Sequence, residues 1–252
     1  VVISAGVLIN TYFIQPNIVE NDIKDIQPEE KLPWDEIKAK YPDVDFPEGM
    51  QLKYAEAYAQ NTDLVGWLKI SKLKMDFPIL QTDNDSYYLK RSFTHRYTDL
   101  GNPFLACENS VKTLDRNSII YGHSTRASDK IFSKLFDYRT TRGFINNPII
   151  EFNTIYHDYK WKVYAVFITN ATTAEDNGYF FNYIWRNISE DSFKQYIKEL
   201  DSRKLYTTGV DIKPTDKILT LSTCLYEFDN ARLVVVARMM REGESEKIDT
   251  SL

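Results

Sequence analysis

Two stretches, Lys217-Ile-Leu-Thr-Leu-Ser-Thr-Cys224 and Arg232-Leu-Val-Val-Val-Ala-Arg-Met-Met240, decide how this chain is read. The first alternates: Ile218, Thr220, Ser222 and Cys224 fall on one face, Leu219, Leu221 and Thr223 on the other, which is the period of a β-strand. The second is almost continuously apolar and reads as a further strand. Residues 225–231 connect the two. If they pair as neighbours, Arg232 returns to the rim at which Cys224 ends, where a side chain can leave the core and face a groove.

Outward from this pair the chain reads as mainly β with inserted helices, an α+β architecture. Residues 64–70, 75–80, 103–107, 118–121, 149–152 and 161–169 are further expected strands, with Pro78 favouring a sheet edge or a bulge. Residues 156–158 have the polar character of a hairpin turn, and residues 84–93 read as a short helix. The clearest helix covers residues 189–200: Ser189 caps it, two acids follow, and Phe193, Tyr196, Ile197 and Leu200 share one face. Pro33-Trp34-Asp35-Glu36 opens an earlier helix, with acids near the positive end of its dipole, and another follows Pro47 and fades near residues 61–63. About eight short strands with few helices predict a closed or nearly closed β-barrel.

The composition narrows the function classes. At 252 residues, 43% hydrophobic and 27% charged, the chain has material for a large core and is not of the disordered type. Its 17 Tyr favour a β-rich interior or an aromatic-lined groove. A net charge of −5 without an Arg/Lys stripe excludes nucleic acid as an expected partner. Three His and two Cys are scattered without metal-ligand spacing, so neither a metal nor a cofactor is expected. One disulfide, Cys107 to Cys224, is compatible with the count, but a bridged Cys224 could not be a nucleophile, so the two readings exclude each other.

Residues 1–14 (VVISAGVLINTYFI) are almost wholly apolar, yet shorter than the ~20 residues a spanning helix needs. They read as the outer end of a truncated membrane anchor, the alternative being a buried or amphipathic first helix. Under the anchor reading the polar chain beyond Gln15 lies outside the cell, with residues 15–31, which hold Pro16 and Pro28, as a stalk or loosely packed helix.

Cys224, Arg232 and His123, the last of these in Tyr121-Gly122-His123, are the parts of acyl transfer through a thioester. A cation beside a thiol favours the more nucleophilic thiolate. Arg232 stays protonated, so it serves as an oxyanion donor and substrate clamp but not as a base. His123 is the natural general acid and base. Cys107 reads as a small buried hydrophobe, and His95 and His157 as solvated bystanders.

Ser118-Ile-Ile-Tyr-Gly-His-Ser124, Thr220-Leu-Ser-Thr-Cys224 and Tyr226-Glu-Phe-Asp-Asn-Ala-Arg232 resemble the His, Cys and Arg motifs of the sortases, and of class B in particular. The similarity runs over residues 63–241. It takes in Asp83-Asn-Asp-Ser-Tyr-Tyr-Leu89, Gly101-Asn-Pro-Phe-Leu105 and the 189–200 helix, which matches the long helix that class B enzymes insert between their sixth and seventh strands. The resemblance implies the eight-stranded sortase barrel with N-terminal helices. It also implies an extracytoplasmic cysteine transpeptidase on a single-pass N-terminal anchor outside a Gram-positive membrane. Cys224 would attack the Thr–Gly or Thr–Asn bond of a surface protein's C-terminal sorting signal (NPxTN- or SPxTG-like). An amine of a lipid II-type peptidoglycan precursor would then resolve the acyl-enzyme. His123 would be the acid/base and Arg232 the oxyanion donor, and Leu89, Thr173, Tyr179, Phe180 and Ser222 are candidates for the peptide groove. Cys107 departs from the family's common acidic residue in its strand.

The expected organisation is an anchor remnant (1–14), a stalk with N-terminal helices (15–62), a catalytic barrel (63–241) and a polar tail (242–252). Two other functions share these residues. A cysteine hydrolase would use the same triad with water as acceptor, and a membrane-tethered binding module would keep the barrel without the chemistry.

Overall fold

Strand-forming residues and turns divide the chain from Leu64 onward into eight strands: β1 (Leu64–Ile70), β2 (Met75–Leu80), β3 (Phe104–Leu105), β4 (Asn117–Tyr121), β5 (Ile149–Thr154), β6 (Lys160–Asn170), β7 (Ile218–Cys224) and β8 (Ala231–Met239). The structure, a computed structural model, describes residues 15–124, 130–170, 181–224 and 231–249. The strands are hydrogen-bonded in the order β1-β2-β3-β4-β7-β8-β6-β5, and β5 returns to β1, so the expected barrel is closed. Closure leaves no free edge for another chain to pair with. Two neighbouring pairs, β2/β3 and β4/β7, are parallel, and the remainder are antiparallel. A parallel pair needs a long crossover; for β4 and β7 that crossover is everything between Tyr121 and Ile218, including β5 and β6.

Among the described residues five α-helices accompany the barrel: α1 (Gln15–Lys24), α2 (Trp34–Lys40), α3 (Ala55–Gln60), α4 (Thr141–Asn146) and α5 (Glu190–Arg203). In α5 the Ser189 hydroxyl accepts from Ser192 N, and Glu190 and Asp191 occupy the first turn. The apolar face of α5 covers the outside of the sheet: Phe193, Tyr196 and Leu200 pack with Ala165, Phe167, Ile218, Val234 and Val236. Leu219, Leu221, Leu233, Val235 and Ala237 point inward to the main core. β7 and β8 are thus covered on both faces, which is why β8 is apolar almost throughout.

Residues 15–31 do not stand off as a stalk. Val19, Ile23 and Ile26 are buried in the main core cluster, and the Asp22 carboxylate accepts from Thr94 Oγ1 at 2.7 Å and pairs with Arg96. Three other local expectations change. Residues 84–93 form only a 3₁₀ turn at Tyr87–Leu89, because Asn84 Oδ1 accepts from the amides of Ser86 (3.0 Å) and Tyr87 (2.9 Å) and holds a turn in place of a helix. The 103–107 strand shrinks to two residues, since Pro103 has no N–H and Cys107 N turns to the Asp85 carboxylate at 2.6 Å. Pro78 sits inside a closed barrel, but β2 meets β3 only at Leu80 and Phe104, and the Pro78 carbonyl is taken by Asn102 Nδ2 at 2.9 Å. The sequence reading did not anticipate the 3₁₀ run Ile131–Arg139, which buries Ile131, Phe132, Leu135 and Tyr138.

Candidate active site

Strand register brings the three candidate residues together. β7 and β8 pair without a shift, and the last pair is Cys224 opposite Arg232. On the other side of β7, β4 runs parallel with Tyr121 level with Ser222, and Gly122 N donates to Ser222 O at 3.2 Å. Continuing that register by two residues sets His123 level with Cys224. With neighbouring strands ~4.8 Å apart, His123 and Arg232 flank the thiol from its two sides. The Ser124 hydroxyl donates to the Cys224 carbonyl and ties the end of the His segment to the end of β7.

The two thiols leave different parts of the sheet: Cys224 ends β7, whereas Cys107 lies in the turn after β3, where its N–H donates to the Asp85 carboxylate. Both cysteines are free. The bridged reading of Cys224 falls, and the nucleophile reading keeps its thiol.

Gly122 is the residue that lets His123 reach this position. A Cβ there would come within 2.4 Å of the ring of Phe132, which is fully buried and cannot yield. Phe132 N in turn donates to the His123 carbonyl at 3.1 Å, fixing the backbone that carries the imidazole. Burial, then the Lys90 charge, partly offset by Asp99, and then the Arg232 charge hold the His123 imidazole below its ordinary pKa. It is therefore neutral at neutral pH and ready to accept a proton. Arg232 is half-buried, and its Nη1 donates to the Ala231 carbonyl at 3.0 Å.

Cys224, His123 and Arg232 open on one cavity of about 240 Å³, with Leu89 and Ser222 also in its wall. Ser222 is buried and its hydroxyl is 3.0 Å from the phenol oxygen of Tyr183. Thr173, Tyr179 and Phe180 lie outside the described residues. Five lining residues were missed as site residues: Asp85, Phe104, Tyr121, Gly122 and Thr223. All stand inside quoted motifs, and for Asp85 the acid among the aromatics of residues 83–89 was the available signal. A larger cavity, about 400 Å³ between α5 and residues 181–185, holds neither thiol nor imidazole and is not the acyl-transfer site.

A strand-end thiol flanked by an imidazole and a guanidinium on a closed eight-stranded barrel defines a cysteine acyl-transfer enzyme. Residues 68–240 match the sortase domain, and the chain belongs to the sortase family. It is 31% identical over 184 residues to Sortase B of Staphylococcus aureus, and 29% identical over 183 residues to Sortase B of Listeria monocytogenes. These matches cover 72% and 71%, respectively, of both chains. The barrel superposes on a Staphylococcus aureus sortase B–substrate complex with a TM-score of 0.69 at 26% identity, covering 82% of this chain and 91% of that one. The protein is a class B-like sortase, a cysteine transpeptidase that cleaves protein sorting signals, and like other sortases it is associated with the cell surface. Among the described residues no helix is long and apolar enough to cross a membrane; residues 1–14 lie outside them.

Proposed function

We propose that Cys224 is the nucleophile, His123 the general acid and base, and Arg232 the oxyanion donor of a transpeptidation that joins surface proteins to a cell-wall precursor. The observation that carries this reading is the pairing of Cys224 with Arg232 at the rim where His123 closes the other side. Neutral His123 takes the Cys224 proton as sulfur attacks the scissile carbonyl of the sorting signal. The tetrahedral oxyanion is held by the Arg232 guanidinium, a planar donor that keeps its charge at any working pH. Collapse breaks the C–N bond, and His123 returns the proton to the leaving amine. An amine from a peptidoglycan precursor then attacks the thioester, gives a proton to His123 and releases Cys224 as thiol, so the enzyme is regenerated.

The peptide groove on this reading includes Leu89 and Ser222, together with Thr173, Tyr179 and Phe180. The catalytic unit spans residues 63–241, preceded by the N-terminal helices and followed by a polar tail. The apolar run 1–14 supports an N-terminal membrane anchor with the catalytic domain outside the cell. The test incubates the protein with sorting-signal peptides and candidate amines and identifies products by mass spectrometry. Amine-dependent transfer product is expected, and Cys224→Ala abolishes cleavage without changing the melting temperature. Undiminished cleavage in that variant rejects the nucleophile, and hydrolysis alone with every amine rejects transfer.

A further inference from the structure

The cavity around Cys224 is electrostatically lopsided. Arg232 carries its positive charge on β8, and among the described lining residues Asp85 is the one carboxylate. Asp85 enters from the connection after β2, whereas Cys224 and Arg232 enter at the ends of β7 and β8, with β3 and β4 between. Its place is fixed on two sides. Asn84 holds the turn through Ser86 N and Tyr87 N, and Asp85 Oδ1 accepts from Cys107 N at 2.6 Å.

None of this neutralises the carboxylate. A backbone amide carries no charge. The Cys107 thiol beside it is pushed up, by burial first and then by the Asp85 charge, and so stays a neutral S–H. Among the described residues Lys90 pairs with Asp99 at 3.1 Å and Arg186 with Glu108, and Arg232, in the same cavity, makes no ion pair with Asp85. An ionised carboxylate has acceptor sites for more than one donor, and Asp85 is exposed at the mouth of the cavity.

We propose that Asp85 is a specificity-determining residue that selects sorting signals with a basic side chain on the N-terminal side of the scissile bond. This rests on the assignment of the cavity to acyl transfer by Cys224. The N-terminal side is the relevant one because it stays on the enzyme through the thioester, while the C-terminal side leaves after the first step. On this assignment the acyl peptide runs from Cys224 along the wall that Leu89, Phe104 and Asp85 also line. A Lys or Arg there gains a charge-assisted bond, and a Glu meets a like charge.

The experiment compares peptides identical except for Lys, Gln or Glu at one variable position before the scissile bond, using wild type, Asp85→Asn and Asp85→Lys. Asn retains an oxygen for Cys107 N, so the turn keeps its shape. For an exposed pair, wild type is expected to prefer Lys over Glu by about fivefold in kcat/KM. The preference resides mainly in KM and shrinks as salt is raised. It falls close to one in Asp85→Asn and inverts in Asp85→Lys. Cleavage that depends on Cys224 but ignores the peptide's charge, or a preference that survives in Asp85→Asn, overturns the inference and leaves the acyl-transfer reading intact. A charge preference that follows the acceptor amine and not the peptide overturns it too. Cleavage that persists in Cys224→Ala overturns both.

Discussion

Arg232 and Arg238 lie six positions apart on β8, opposite Cys224 and Ile218 of β7, so their side chains leave the same face of one strand. Their surroundings differ completely. Arg238 is 1% exposed: Nη2 donates to Glu244 Oε1 at 2.7 Å, Nε to the Asp211 carbonyl at 3.0 Å, and Nη1 to the Met239 carbonyl at 3.1 Å. Around it Lys162, Arg238 and Arg241 meet Asp211, Asp216 and Glu244, three cations against three carboxylates. The Arg238 bonds, and then the Arg241 amide and Lys162, outweigh burial and hold the Glu244 carboxyl far below the usual carboxylate range. This network fastens the tail after β8 onto β6. Arg232, half-buried, faces a cavity and has no carboxylate partner among the described residues. A neutralised, fully bonded guanidinium has nothing left for a ligand, and one that is neither is poised for charge that appears only during a reaction.

The largest test of that contrast is Arg232→Lys. Lysine keeps the positive charge and loses the planar fork, so a role in holding the oxyanion predicts a fall in kcat of roughly 10²–10³-fold. The melting temperature stays close to wild type, because no ion pair among the described residues is broken. Steady-state cleavage of a sorting peptide measures the first and calorimetry the second. Turnover close to wild type would remove Arg232 from the chemistry and make it a second structural arginine.

Arg238→Ala gives the opposite split. Removing it leaves Glu244 with the Arg241 amide and the Lys162 ammonium and opens a hole at a fully buried position. Breaking such a network costs about 3 kcal/mol, which lowers the melting temperature by roughly 10 °C in a domain of this size. The intrinsic rate of the folded fraction is expected to be little changed. Denaturant titration with a parallel activity assay separates the two quantities. A stable but inactive Arg238→Ala would show that the two ends of β8 are coupled and the contrast is not local.

Much of the Cys224–Arg232 end of this contrast was legible in the sequence. The period of residues 217–224 and the return of Arg232 identified the strand pair and its rim, because alternation and loop length are local properties. The barrel followed from the count of short strands, and α5 from its Ser cap and apolar face. The meaning of Arg238 was not legible. It reads as one charge in an apolar strand, and its partners Asp211 and Glu244 flank the strand pair in polar segments with no periodicity. Asp85 was hidden for a similar reason: its partner, the Cys107 amide, is 22 residues away and becomes available only because β3 stops after two residues. The run Ile131–Arg139 escaped because its 3₁₀ spacing matches neither the helical nor the strand template.

The smallest expected effect is also the most direct comparison of the two charges. His123 is held below its ordinary value by burial first and Lys90 next, with Arg232 contributing against the opposing pull of Asp99. Only an uncompensated charge acts effectively on a neighbour. Arg232→Gln removes one source of repulsion on the imidazolium, so the His123 pKa is expected to rise towards the ordinary value of about 6.5. Arg238→Gln, whose charge is balanced by carboxylates at the other end of the strand, is expected to leave it unchanged. The imidazole can be titrated by two-dimensional NMR, where only His95 and His157 need to be distinguished from it. In wild type the sign is fixed: activity that requires neutral His123 is retained as pH falls to the ordinary imidazole range and is lost below it. Arg232→Gln moves that acid limb upward. If both variants shift the titration equally, or neither does, the charge of Arg232 is as thoroughly neutralised as that of Arg238, and the distinction between a reserved and a committed arginine on β8 fails.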